Sequence, residues 1–368
     1  MNGEHYPRVV IDLKKLRNNI DQIIGRCNDN GIEVAGVVKC VDGNVRVAKE
    51  FEKGGAGFIA SSRLEHIGRL KNGGVEKPLM LIRVPMISEA ERTVELCDVS
   101  LNSEIHVLGE LDRAAQRAGK IHGVILMDDL GDLREGFWDL DQLLDAAEFV
   151  EEAPGLELLG IGTNLGCYGS VMATSEKLEE LVRDAEAVEG KIGRRLKYIS
   201  GGATSSIPRI LEGNMPERIN MLRIGEGIIV AQDLIELYGY EMDFMETDVS
   251  VLEAEVIEVK IKPSHPVGEI GYDAFGNKMV YEDRGMRKRA LIGVGKVDFA
   301  FGGLKPRDKG VEILGGSSDH TILDVEQAER DFKVGDIVKI DIDYGALVFL
   351  TQSENVHIIC INDETMET

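Results

Sequence analysis

Cysteine is scarce: five residues in 368, an odd number, with no CxxC pair. Cys27, Cys40, Cys97, Cys167 and Cys360 are too scattered for a disulfide framework or a zinc site, and the histidines lack metal-ligand spacing, so no metal is expected. Positive charge is also short, with 42 Lys and Arg against 65 Asp and Glu, a formal net charge of -23. Such a surface repels phosphates, which argues against nucleic acid or an anionic membrane as partner, while a cationic small substrate would be attracted. No apolar run approaches the roughly 20 residues of a membrane-spanning helix. Residues 1–7 (MNGEHYP) have no signal-peptide core, so a soluble, cytoplasmic protein is expected. No internal repeat or low-complexity tract is visible.

The 43% of hydrophobic residues suffices for a sizeable core, and the length exceeds one ordinary domain. After a short first strand, Arg8 to Ile11, and a helix capped by Asp12, apolar runs alternate with amphipathic segments. Strands are expected at 33–38, 57–60, 78–82, 99–101, 123–127, 156–163, 196–200 and 219–224, with helices between them. Eight such strands suit a (β/α)8 TIM barrel better than an open sheet. Beyond about Tyr240 the texture changes to short alternating runs such as VSVLEAEVIEVKI and DIVKIDI. The expected division is therefore a barrel over residues 1–240 and a C-terminal antiparallel β domain over 241–368.

Chemistry is expected at the carboxyl ends of barrel strands. EVAGVVKCVDGN, residues 33–44, puts Lys39 at the end of a strand built of small and β-branched residues, before the turn Asp42-Gly43. By itself this stretch suits a Schiff-base lysine and a solvent-seeking one equally. Ser200 to Ser206 (SGGATSS) follows the seventh strand: its glycines admit an anion to backbone amides and its hydroxyls donate. Arg223 to Gly227 (RIGEG) ends the eighth, and an arginine there needs a fixed acceptor. A lysine nucleophile, a phosphate cradle and an inward arginine together point to one cofactor with an aldehyde, a phosphate and a ring nitrogen, pyridoxal 5'-phosphate.

The segments VVIDLKKLRNNI, VVKC, LNSE, MDDLGDLREG, GIGTNLGCYG, SGGATSS, LRIGEG, PVGEIGYDAFGN, ILGGSSDH and GDIVKIDIDYGAL carry a resemblance that spans nearly the whole chain. The chain resembles the alanine racemase family of pyridoxal-phosphate enzymes (fold type III), and within it the ornithine racemase branch. The resemblance implies an isomerase with Lys39 as the Schiff-base residue and one catalytic base, and Tyr272 as the second base, supplied across a homodimer interface by the β domain. It implies that Thr204, Ser205, Gly225 and Tyr344 hold the phosphate and that Arg223 faces the ring nitrogen. Arg134 then tethers the network near the substrate carboxylate, Ser317 and Ser318 touch the substrate, and Asp319 is a further member. Three positions depart from the family pattern. Met127 replaces a lysine that can be carbamylated, VDGN replaces an aromatic phosphate contact, and Asn164 stands where a histidine stacks on the ring, leaving that packing to Cys167 or Tyr168.

The implied reaction is two-base proton transfer at Cα. A second ammonium on the substrate, as in ornithine, would find acids in Asp128, Asp129, Asp132, Glu226 or Glu269. The competing readings are an alanine or broad-specificity racemase, a decarboxylase or aldolase on the same fold, and a non-catalytic cofactor-binding module.

Overall fold

The structure is a computed structural model that describes residues 5–300, 302–362 and 365–367. The chain divides into two compact units: Lys15–Thr247, and Asp248–Thr368 together with the segment up to Lys14. This differs from the expected division at its start. The first strand, β1 (Arg8–Asp12), belongs with the later residues because both its edges are filled there.

In the first unit β2 (Glu33–Val37), β3 (Phe58–Ser61), β4 (Leu79–Leu81), β5 (Val99–Asn102), β6 (His122–Met127), β7 (Leu156–Gly162), β8 (Tyr198–Ser200) and β9 (Met221–Ile224) form a closed parallel barrel. Pairing of β9 with β2 closes it, with Ala35 opposite Arg223 and Gly36 opposite Ile224. The strands read as continuous apolar runs because both faces are covered. Ile125, Met127, Phe58, Met80, Leu101 and Met221 fill the barrel, while Val124, Leu126, Leu158 and Ile161 face the helical layer of Leu143, Val150, Leu178 and Val182. A bulge between Val124 and Ile125 sets Gly160 beside β8, where an added Cβ would lie 1.9 Å from the Tyr198 carbonyl oxygen. Only glycine fits there.

The crossover helices start at side-chain caps. Asn44 accepts from the amides of Arg46 and Val47 ahead of Val45–Lys53, Asp139 precedes Leu140–Glu152, and Thr174 precedes Ser175–Ile192. No helix among the described residues is long and apolar enough to cross a membrane.

The second unit holds a nine-stranded sheet. It is organised by β10 (Ser250–Pro263), with β11 (Met286–Ile292), β12 (Leu304–Pro306), β13 (Glu312–Gly316), β14 (Thr321–Asp324), β15 (Ile337–Ile342), β16 (His357–Asn362) and β17 (Thr365–Glu367). The first half of β10 pairs with β1 and β15, and after a shift near Val256 the second half pairs with β11. β1 runs parallel to β16, the one departure from an antiparallel sheet among the described residues of this unit. Val9 and Ile11 are buried, and Arg8 bonds Glu253 across the β1–β10 ladder at 2.7 Å.

One buried acid carries a pH signature. Asp128, just past β6, is hydrogen-bonded to Asp184 on helix Ser175–Ile192; burial first, then the Asp184 charge, push its carboxyl from 3.8 up to about 8. A folded-state pKa above the unfolded one stabilises the protein fully below the unfolded value and loses that contribution as pH rises towards the folded one. Thermal denaturation at a series of pH values is therefore expected to show stability falling between about pH 4 and 8. Asp128→Asn should flatten that slope, and parallel curves for the two proteins would refute the assignment.

Candidate active site

At the carboxyl end of β2 the chain enters a tight turn, Lys39–Val41, tied to β3 by the Val38 amide on the Ala60 carbonyl at 2.9 Å. Asp42 and Gly43 both take positive φ, 53° and 63°, and a Cβ on Gly43 would meet that of His66 at 2.6 Å. The Asp42 carboxylate contacts His66 Nε2 at 3.0 Å and Arg69 at 2.6 Å, and His66 Nδ1 pairs with Ser61 Oγ at 2.8 Å. Half-buried Lys39 thus projects from a turn anchored to the next strand and helix. Burial pushes the neighbouring Cys40 thiol up to about 12, which leaves it inert as a nucleophile.

Arg223 lies on the adjacent strand and is 4% exposed. Its guanidinium donates to the Thr163 carbonyl at 2.7 Å and to Ser200 Oγ, the fixed acceptors its position requires. Burial pushes it down to about 10, with the Glu135 carboxylate opposing, so it remains a cation at neutral pH.

The turn after β8 packs on the turn after β9. Thr204 Oγ1 accepts from the Gly227 amide at 2.9 Å, Ser205 Oγ donates to the Leu165 carbonyl at 2.7 Å, and Ser206 Oγ donates to the Gly201 carbonyl at 2.6 Å. A Cβ on Gly225 would lie 2.8 Å from the Val37 carbonyl oxygen, so glycine brings this turn against the end of β2. The helix expected between the seventh and eighth strands begins as a 3-10 turn, Thr204–Ser206, before Ile207–Leu211 with Pro208 in its first turn. Lys39, Arg223, Thr204, Ser205 and Gly225 therefore gather at the carboxyl ends of β2, β8 and β9.

The loops after β6 and β7 complete this face. Asp132 is buried and its carboxylate accepts four backbone amides, from Gly166, Cys167, Tyr168 and Val171, at 2.9–3.2 Å. Burial opposes its ionisation, but those four bonds hold its pKa below the usual carboxylate value. Its lone pairs are committed to the loop, which removes Asp132 as a reader of a second ammonium. Asp128 faces Asp184, one Asp129 oxygen accepts the Gly131 and Leu133 amides, and one Glu226 oxygen accepts those of Gln232 and Asp233. Burial pushes the Glu226 carboxyl up to about 7. Asn164 is half-buried, and its Nδ2 and the hydroxyl of Thr163 are buried without a hydrogen-bond partner among the described residues. Arg134 forms a two-point bond to Glu135 and also hydrogen-bonds exposed Cys167. Sequence reasoning missed Glu135, because adjacent opposite charges on a polar loop read as a solvated pair.

The remaining expected site residues lie in the second unit. Tyr272 is 76% exposed, next to Asp273, whose carboxylate accepts the amides of Phe275 and Asn277 and pairs with Lys296 at 3.1 Å. Ser317 and Ser318 follow β13; their carbonyls accept the amides of Lys296 and Val297, and Asp319 beside them is exposed. Tyr344 opens the helix Tyr344–Gln352, capped by Asp343 through the Ala346 amide at 2.8 Å.

Residues 11–233 match the family described as alanine racemase, N-terminal domain. An ornithine racemase of Acetoanaerobium sticklandii is 40% identical over 343 residues, which cover 93% of this chain and 96% of that protein. A lysine racemase of Thermotoga maritima is 39% identical over 343 residues, 93% and 95% of the two chains. The crystal structure of alanine racemase from Bacillus anthracis with bound L-Ala-P superposes with a TM-score of 0.77 at 16% identity, covering 100% of this chain and 98% of that one, and shares the fold. With a family match over most of the barrel and relatives of this identity over nearly its full length, the chain belongs to the alanine racemase family.

Proposed function

We propose that this protein is a pyridoxal-phosphate-dependent amino-acid racemase that interconverts L- and D-ornithine. The observation that carries the reading is the buried, permanently charged Arg223 on the strand beside the Lys39 turn. The donor set fits the cofactor: a primary amine, a fixed cation, a glycine-lined turn with Thr204 and Ser205, and buried polar groups of Thr163 and Asn164 that still need partners. Lys39 would hold the aldehyde carbon, Thr204, Ser205, Gly225 and Tyr344 the phosphate, and Arg223 the ring nitrogen. Bound there, the cofactor supplies an electron-accepting ring that makes the substrate Cα proton removable.

Arg223 is a buried cation that only donates hydrogen bonds, so beside the ring nitrogen it would disfavour a proton there and would leave the electron sink modest. Lys39 takes the Cα proton on one face and Tyr272 returns one on the other, each also working in the reverse direction. Arg134 orients the substrate carboxylate, with Ser317, Ser318 and Asp319 at the substrate side. Tyr272 acts in the partner's site of a homodimer. This is supported by exposed apolar residues in the same stretch of chain: Val267 and Val280 are more than nine-tenths exposed, and Met279 and Tyr281 are exposed as well. The 39% identity to a lysine racemase favours lysine as a second reading for the substrate.

Lys39→Ala is expected to abolish racemisation and the visible absorption of the bound cofactor while leaving the fold intact by circular dichroism. Cofactor that stays covalently joined to the Lys39→Ala protein after borohydride reduction and denaturation would refute Lys39 as the attachment point. Tyr272→Phe should lower kcat by about 10²–10⁴-fold without loss of cofactor, whereas an unaffected rate would remove Tyr272 as a base. Cα-proton exchange in deuterated water, measured across ornithine, lysine and alanine, should give ornithine the highest kcat/KM, at least about tenfold above alanine. A preference for alanine would overturn the substrate assignment.

A further inference from the structure

Glu135 is neither anticipated by the sequence nor used in the mechanism above. Arg134 donates Nε and Nη2 to its two carboxylate oxygens, the second bond at 2.6 Å, and Glu135 is the more buried partner, with 18% of its side chain exposed against 42% for Arg134. The loop carrying both is tied back to the end of β6. The Phe137 amide bonds the Met127 carbonyl at 2.8 Å, the Asp129 amide bonds the Phe137 carbonyl at 3.0 Å, and a Cβ on Gly136 would lie 2.5 Å from the Asp129 nitrogen. Asp128, Asp129 and Asp132 have their own bonds, to Asp184 or to backbone amides, which leaves Glu135 as the acid of this loop paired with the Arg134 guanidinium. Its charge also acts on Arg223, and Arg134 and Arg223 repel each other.

On the reading of a racemase for a diamino acid, we propose that Glu135 is a positioning residue. It fixes the Arg134 guanidinium in one plane and cancels one of the site's two arginine charges, so that an amino acid bearing a second ammonium can enter. A two-point arginine–carboxylate bond sets orientation as well as proximity, and an uncompensated cation beside a cationic substrate works against binding.

Glu135→Gln keeps the shape and removes the charge. It is expected to raise KM for ornithine by about tenfold or more, with a smaller change in kcat and a smaller change in KM for alanine. Glu135→Asp, which keeps the charge, should retain most of the affinity. The double variant with Arg134→Ala should be no worse than Arg134→Ala alone, because the two residues act as a unit. A KM for ornithine that does not move, a loss equal for both amino acids, or additive losses would overturn the proposal. A second readout needs no turnover: the rate at which phenylglyoxal modifies Arg134, mapped by peptide mass, should rise several-fold in Glu135→Gln, and an unchanged rate overturns the pairing. If the wild-type protein racemised no amino acid, the function would fall while this measurement still tested the pair, so the two failures stay distinguishable.

Discussion

A guanidinium with almost no exposure dictates much of the architecture. Removing a cation from water costs several kcal/mol unless its hydrogens are met, and Arg223 meets them with the Thr163 carbonyl and the Ser200 hydroxyl. Those acceptors lie at the ends of β7 and β8, while β9 itself closes the barrel against β2. Correct registry of four consecutive strands is thus a condition for burying this charge, and the same registry brings Lys39 to the neighbouring position. Scaffold and site share one requirement.

Around that cation, close approaches of backbone do the positioning. Gly225 lets the turn after β9 touch β2, and Gly160 lets β7 pass β8 at a bulge. Asp132 links two loops that are 34 to 39 residues apart through four amides and leaves little freedom at the rim. The carboxyl end of the barrel is in this way ordered by its own side chains and turns.

The barrel strands could be read from the sequence because burial on both faces leaves uninterrupted apolar runs, as in Val124 to Met127. The helices could be read as amphipathic segments between those runs, while the caps at Asn44, Asp139 and Thr174 come from the structure. The placement of Lys39, Arg223 and the Gly/Ser turn at strand ends was legible because residue type and strand boundary together carry that signal. That Asp132 is taken up by backbone amides, rather than left as one of several candidate acids, could not be read, since nothing local tells which amides a carboxylate will accept across a gap of that length. Glu135 was invisible for a related reason: its meaning depends on Arg223, far along the chain. The allegiance of β1 was hidden too, because RVVID has the alternation of a strand without naming its sheet.

That allegiance has a consequence for how the chain becomes a protein. Synthesis from the amino terminus delivers β1 first, yet its neighbours are β10 and β16, at residues 250–253 and 357–361. All the barrel strands, by contrast, arise between residues 33 and 224 and pair mostly with their immediate successors. The barrel can therefore assemble while translation continues, whereas β1 must wait with open edges, kept from mispairing by its five-residue length and by the charges of Arg8 and Asp12.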